Sequence, residues 1–207
     1  MREGDHALTE TGVRASHSAM SLFEFVLTLY SIIMGLGLTL LIRSVGQMLE
    51  ARRKTRTYWV HSGWLLALML IYIVFWLQLW LYRDVLEWSA GEVMLVLMVP
   101  VLLYLVSHLA VPELEDGLEH DMREYYYTHH RMIQCLLLAA ILLGGLSQRL
   151  ILDRWHFATR DLMRLAAMAL LLPGILSKRH EVHAAQVLAV NAAILVAALE
   201  ALQPLHE

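Results

Sequence analysis

The sequence predicts an all-α membrane protein, a bundle of about six transmembrane helices with no soluble domain. Three observations carry that class. The apolar fraction is 58% and the mean hydropathy +0.55, against roughly 45–50% apolar residues in an average globular chain. Six hydrophobic runs, at 20–48, 58–82, 92–111, 131–150, 158–177 and 182–202, occupy most of the 207 residues. Several hold the ~20 apolar residues that a helix needs to cross a ~30 Å hydrocarbon core. The runs lack strict period-2 alternation, so they read as helices and not as barrel strands.

A polar N-terminal tail (1–18) has no apolar segment of its own, so the first span is expected to act as the insertion signal. Residues 19–203 form one transmembrane domain, and 204–207 a short C-terminal tail. In span 1, Glu24, Thr28, Ser31, Gly35, Thr39, Arg43 and Gly46 follow at steps of three or four, which keeps them on one helical face. Ionisable groups are costly against lipid, so this face is expected to look into the bundle, a cavity or a partner subunit. It reads as the wall of a polar pathway or as a close-packed seam, in which Gly35 and Gly46 allow close approach and the hydroxyls bond neighbours or their own backbone.

Arg52, Arg53, Lys54 and Arg56 form the densest cationic cluster, between spans 1 and 2. The positive-inside rule makes that loop cytoplasmic and both termini non-cytoplasmic. Tyr58, Trp59 and Trp64 at one end of span 2, Trp80, Tyr82 and Trp88 at the other, and Tyr125, Tyr126 and Tyr127 before span 4 read as headgroup-level aromatic belts. Gln78 reads as an interhelical hydrogen bond. In span 3, Pro100 is expected to kink the helix, with Tyr104, Ser107 and His108 on the face it opens. The acidic connection 112–130 is expected to end in an interfacial helix. Arg160 and Arg164 near the start of span 5 are expected to snorkel. Span 6 carries a ridge of Ala185, Ala189, Ala193, Ala197 and Ala201 at four-residue spacing, which points to tight helix packing within or between subunits. Asn191 lies off that ridge and is expected to bond across helices. Spans 2 and 4 are expected to be mainly lipid-facing or structural.

Seven histidines fall on the predicted cytoplasmic side, and six of them, His61, His108, His129, His130, His180 and His183, all but His120, are candidate ligands. Imidazoles at matching depth on separate helices are what bis-histidine haem ligation requires. His180 and His183, three residues apart, have a spacing that can share a divalent metal. Interfacial histidines without a ligand fit the same pattern. One cysteine, Cys135, rules out a disulfide framework. A net charge of −3 gives no sign of nucleic-acid binding. No nucleophile elbow, HExxH, phosphate loop or dinucleotide fingerprint is present, and no catalytic residue is assigned.

SIIMGLGLTLLIRSV (31–45), WVHSGWLL (59–66), FWLQLW (75–80), VPVLLYLVSHLAVPE (99–113) and DMREYYYTHHRMI (121–133) resemble segments of small bacterial multipass membrane proteins with no assigned function. The resemblance covers about half the chain. It implies a bacterial inner-membrane location and brings no catalytic residues.

The sequence therefore suggests a small channel or transporter with its pathway along span 1, the bilayer as its surroundings and a homo-oligomer formed through the alanine ridge. A scaffold or accessory subunit acting through helix interfaces is the alternative. A haem or metal oxidoreductase using the inner histidines is a second.

Overall fold

The computed structural model describes residues 20–50, 58–112, 121–153 and 159–202, the last with side chains up to residue 196. Among the described residues six α-helices follow one another: α1 (Leu22–Glu50), α2 (Trp59–Gln78), α3 (Ala90–Ala110), α4 (Met122–Ile151), α5 (Thr159–Leu176) and α6 (His180–Leu202). A single 3₁₀ turn, Leu79–Tyr82, extends α2. Among the described residues there is no strand. The protein is a helical membrane bundle. α3 lies between α1 and α4, α6 packs on α2, and α5 bridges α4 and α6.

Capping explains several of the boundaries. Ser21 and Glu24 form a reciprocal pair at the start of α1: the Ser21 N–H donates to Glu24 Oε2 at 2.8 Å and the Glu24 N–H to Ser21 Oγ at 3.2 Å. Ser89 and Glu92 repeat that capping box at α3. At α4, Asp121 accepts from the N–H groups of Arg123 and Glu124. This cap starts α4 nine residues before the expected span. The stretch read as an interfacial helix is therefore the first turns of one 30-residue helix. α3 runs on through the buried Pro100 to Ala110.

α1, α2 with its 3₁₀ turn, α3 and α4 are each long and apolar enough to cross a membrane. α5 has 18 residues, about 27 Å of helix at ~1.5 Å per residue, and bears Arg160, Asp161 and Arg164 near its start. The described apolar stretch of α6, His180–Val196, is also shorter than those four. The cationic cluster at 52–56 lies outside the described residues.

α1 buries Val26, Tyr30, Met34, Gly37, Leu41 and Ser44. Its polar stripe lies on the other side: Glu24, Thr28, Gly35, Thr39 and Arg43 are exposed, Ser31 and Gly46 half-buried. α2 and α4 fill the interior with Val60, Leu65, Ala67, Leu68, Ile133, Leu137 and Ala140. Of the two readings offered for spans 2 and 4, lipid-facing or structural, these core residues fit the structural one. Four of the aromatics read as belt residues, Tyr58, Trp64, Tyr82 and Tyr126, are also core residues. Trp59 and Trp80 stay exposed at opposite ends of α2 and its extension.

Gly37 sits against the Tyr72 hydroxyl so closely that any Cβ would collide with it, whereas a Cβ at Gly35 meets nothing within 4 Å. Gly37→Leu is therefore expected to lower unfolding free energy in detergent by about 1–3 kcal/mol through overpacking. Gly35→Leu should leave it within about 0.5 kcal/mol. Denaturant titration followed by circular dichroism measures both.

Candidate functional site: a buried histidine, tyrosine and glutamine cluster

The densest polar chemistry of the interior lies where α2, α4 and α6 meet, beside the end of α3. Four-residue spacing puts Tyr126, His130 and Gln134 on one face of α4. α2 contributes Tyr58, His61 and Trp64, and α6 contributes His180, His183 and Gln186. Each of His61, His130, Gln134 and His183 is at most 2% exposed.

Backbone carbonyls orient these side chains. A carbonyl can only accept, so each assigns the proton on the atom that meets it. His61 Nε2 donates to the Ala110 carbonyl at 3.0 Å, and His130 Nδ1 to that of Tyr127 at 2.8 Å. His183 Nε2 donates to the Ser177 carbonyl at 2.9 Å, which leaves its Nδ1 to accept from the Tyr126 hydroxyl at 2.8 Å. Gln186 Nε2 donates to the carbonyls of Leu170 and Leu171 at 2.8 and 3.3 Å, on the turn that Pro173 disturbs. Gln186 Oε1 then accepts from Gln134 Nε2 at 3.1 Å. Gly174 lies directly on this amide pair, and a Cβ there would collide with both glutamines.

Rings pack edge to face around these bonds. The centroids of His130 and His183 are 5.1 Å apart at 89° and those of Tyr126 and His183 5.4 Å apart at 89°, a favourable arrangement for aromatic quadrupoles. At the rim, the Tyr58 hydroxyl bonds His180 Nδ1 at 2.9 Å and the Tyr127 hydroxyl at 3.3 Å.

A second polar knot lies at the opposite end of the bundle. Ser147 Oγ donates to the Gly144 carbonyl at 3.0 Å, so Tyr82 must be the donor in its 2.7 Å bond to Ser147. Gln148 donates to Gln78 Oε1 at 3.2 Å, and its own oxygen accepts from the Arg164 guanidinium. Asp161 pairs with Arg164 at 3.3 Å and with Arg149 at 3.4 Å. Arg164 is thus held by Asp161 in the first turn of α5 and by Gln148 in the last turn of α4. A cavity of about 20 Å³, measured for the centre of a water molecule, lies among Tyr30, Gln78, Tyr82, Ser147 and Gln148.

Of the six histidines singled out, the structure gathers His61, His130 and His183, with His180 at the rim. His108 is exposed, and His129 turns aside to bond the Tyr125 carbonyl at 3.1 Å. Among the described residues no three His, Cys, Asp or Glu side chains converge as a metal set. His183 already uses both ring nitrogens. Asn191 donates to the carbonyls of Gly63, at 3.1 Å on α2, and Val187, at 2.7 Å. On α1, Thr28 and Thr39 donate to the carbonyls of Glu24 and Gly35, both at 2.7 Å, and Ser31 accepts from the Trp76 indole at 3.2 Å. On α6, Ala185 and Ala193 are exposed and Ala189 is half-buried. The side chains of Ala197 and Ala201 lie outside the described residues. Sequence reading missed Tyr126, Gln134 and Gln186 as site residues, although the four-residue step from Tyr126 through His130 to Gln134 was a usable signal.

No family model, characterised protein or solved structure gives a significant match to this chain. Function therefore rests on geometry alone.

The Tyr126–His183 bond is internal and neutral, so Tyr126→Phe is expected to cost about 0.5–1.5 kcal/mol in stability. His183→Leu removes the acceptor and also the donor to Ser177, and should cost more. Unfolding midpoints in one detergent compare the two.

Proposed function

We propose that the chain is a scaffold or accessory subunit of a membrane assembly, acting through helix–helix contacts. The observation that supports this reading is the outward direction of the α1 stripe. Gly35 and Gly46 have open space around their Cα atoms, so a second helix can approach closely there. Thr28 and Thr39 spend their hydroxyl protons on their own backbone, which suits a surface against lipid or another helix better than a wetted wall. Glu24 and Arg43 are 19 residues apart, about 28 Å of helix, so both charges reach the headgroup layers of a ~30 Å core. Their presence does not demand an interior path. On α6, Ala185 and Ala193 offer a second small-residue face.

The partner is a transmembrane helix of another chain, and a second copy is the simplest. A polar pathway along the stripe would need that neighbour as its far wall, so transport, where it exists, would depend on the same contact.

Cross-linking in native membranes tests the reading. With the exposed Cys135 changed to Ser, Gly35→Cys is expected to give a cross-linked species, at twice the chain mass for a second copy and at another mass for a different subunit. Adding Ala193→Leu, or replacing Gly35 by Leu in co-purification, should cut association at least tenfold. An exclusively monomeric product from Gly35→Cys and from Ala193→Cys would overturn it.

A further inference from the structure

The face that α1 turns away from the bundle is complementary to itself when read backwards. Residues equidistant from a point between Ile33 and Met34 make four pairs: Glu24 with Arg43, Phe25 with Ile42, Thr28 with Thr39, and Ile32 with Gly35. All of these residues are exposed. The helical period alone makes the exposed positions symmetrical, so the identities carry the information. An acid stands opposite a base, and a bulky Ile32 opposite a glycine whose Cβ position is open space.

Two α1 helices crossing antiparallel at that point would set each residue against its pair on the other copy. By two-fold symmetry every contact occurs twice. Each Glu24 meets an Arg43, and each Ile32 enters the space over a Gly35. The two charges lie about 28 Å apart along the helix, so both ion pairs form at headgroup level. A parallel crossing instead sets Glu24 against Glu24 and Arg43 against Arg43, and like charges side by side oppose association. The charged groups are available for this use. Arg43 has no hydrogen bond or ion pair among the described residues. Glu24 spends Oε2 on the Ser21 cap, which leaves Oε1.

Antiparallel pairing of α1 in one bilayer requires the two copies to be inserted in opposite orientations. Orientation follows the asymmetry of Lys and Arg between the two sides. Of the sixteen Lys and Arg, nine fall on the predicted cytoplasmic side and seven on the other. The cluster at 52–56 favours one orientation, and Arg149, Arg154, Arg160 and Arg164 oppose it. We propose that the outward face of α1 is the contact of an antiparallel homodimer, whose second copy is inverted in the same membrane. The inference rests on the assembly reading above and names its partner.

Disulfide cross-linking in native membranes tests it, with the exposed Cys135 changed to Ser. Two differently tagged copies are co-expressed, one carrying Thr28→Cys and the other Thr39→Cys. Oxidation is expected to join the two tags at least tenfold more than it joins either variant to itself. Like positions would lie eleven residues apart along the paired helices, about 16 Å. Phe25→Cys with Ile42→Cys should behave the same way and serves as the independent pair. In sealed vesicles of one orientation, added protease is expected to remove a C-terminal epitope from part of the population and spare the rest. Linking of each variant to itself, or to a chain of another mass, would overturn the inverted dimer and leave the assembly reading standing. An epitope wholly cut or wholly protected would also overturn it. So would the absence of product from both pairs, and the assembly reading falls with it only where Gly35→Cys and Ala193→Cys stay monomeric too.

Discussion

Inside a bilayer no water is at hand to take up a stray hydrogen bond, so each polar group the bundle buries must find its partner within the chain. The end of α3 shows how this chain meets that demand. The last carbonyls of a helix have no intrahelical partner. Here the Tyr125 hydroxyl is shared between Leu109 and Val111 at 3.0 Å each, and His61 caps Ala110. One side chain from α4 and one from α2 thereby close α3, and in doing so fix the angle at which the three helices meet. At α5, Gln186 of α6 donates to the carbonyls of Leu170 and Leu171, just before Pro173. Capping and tertiary packing are one set of contacts at this end of the molecule.

The same demand explains why the outside of the bundle can be polar without being a pathway. A hydroxyl in a helix can return its proton to the carbonyl four residues back, and Thr28 and Thr39 both do so. A charge at a helix end reaches headgroups, and Glu24 closes a capping box there. Along span 1 the two threonines and Glu24 are satisfied locally, and Ser31 accepts from Trp76 of α2. The property left over is the row's flatness at Gly35 and Gly46, which is a property of shape.

Much of the architecture was legible in the hydropathy. The expected runs and the observed helices agree to within a few residues for α1, α2 with its extension, α3, α5 and α6, because length and apolar content are properties of one segment at a time. Span 4 was misplaced because its first turns, Met122 to His130, are polar in composition while Met122, Tyr126 and His130 are buried. Hydropathy averaged around the helix cancels a stripe that only its neighbours reveal. Which belt aromatics are also core was hidden for the same reason: Trp59 and Trp64 are five residues apart, yet one faces out and the other is core. The histidines were singled out, but the burial of His61, His130 and His183 and the tautomers set by the carbonyls of Ala110, Tyr127 and Ser177 were not legible. Those contacts join residues 49 and 3 and 6 positions apart, and the first joins two helices. No local pattern encodes them.

The two polar features of the chain therefore differ in kind. Along α1 the hydroxyls of Thr28 and Thr39 return their protons to their own helix, so that part of the face carries no unmet donor. Between α2 and α4 the partners are fixed from several elements: His61 donates to the Ala110 carbonyl of α3, His130 to the Tyr127 carbonyl of its own helix, and Gln134 to the amide oxygen of Gln186 on α6. A carbonyl that takes the proton of one imidazole nitrogen leaves the other nitrogen an acceptor, so the tautomers in this region are set by where neighbouring helices end.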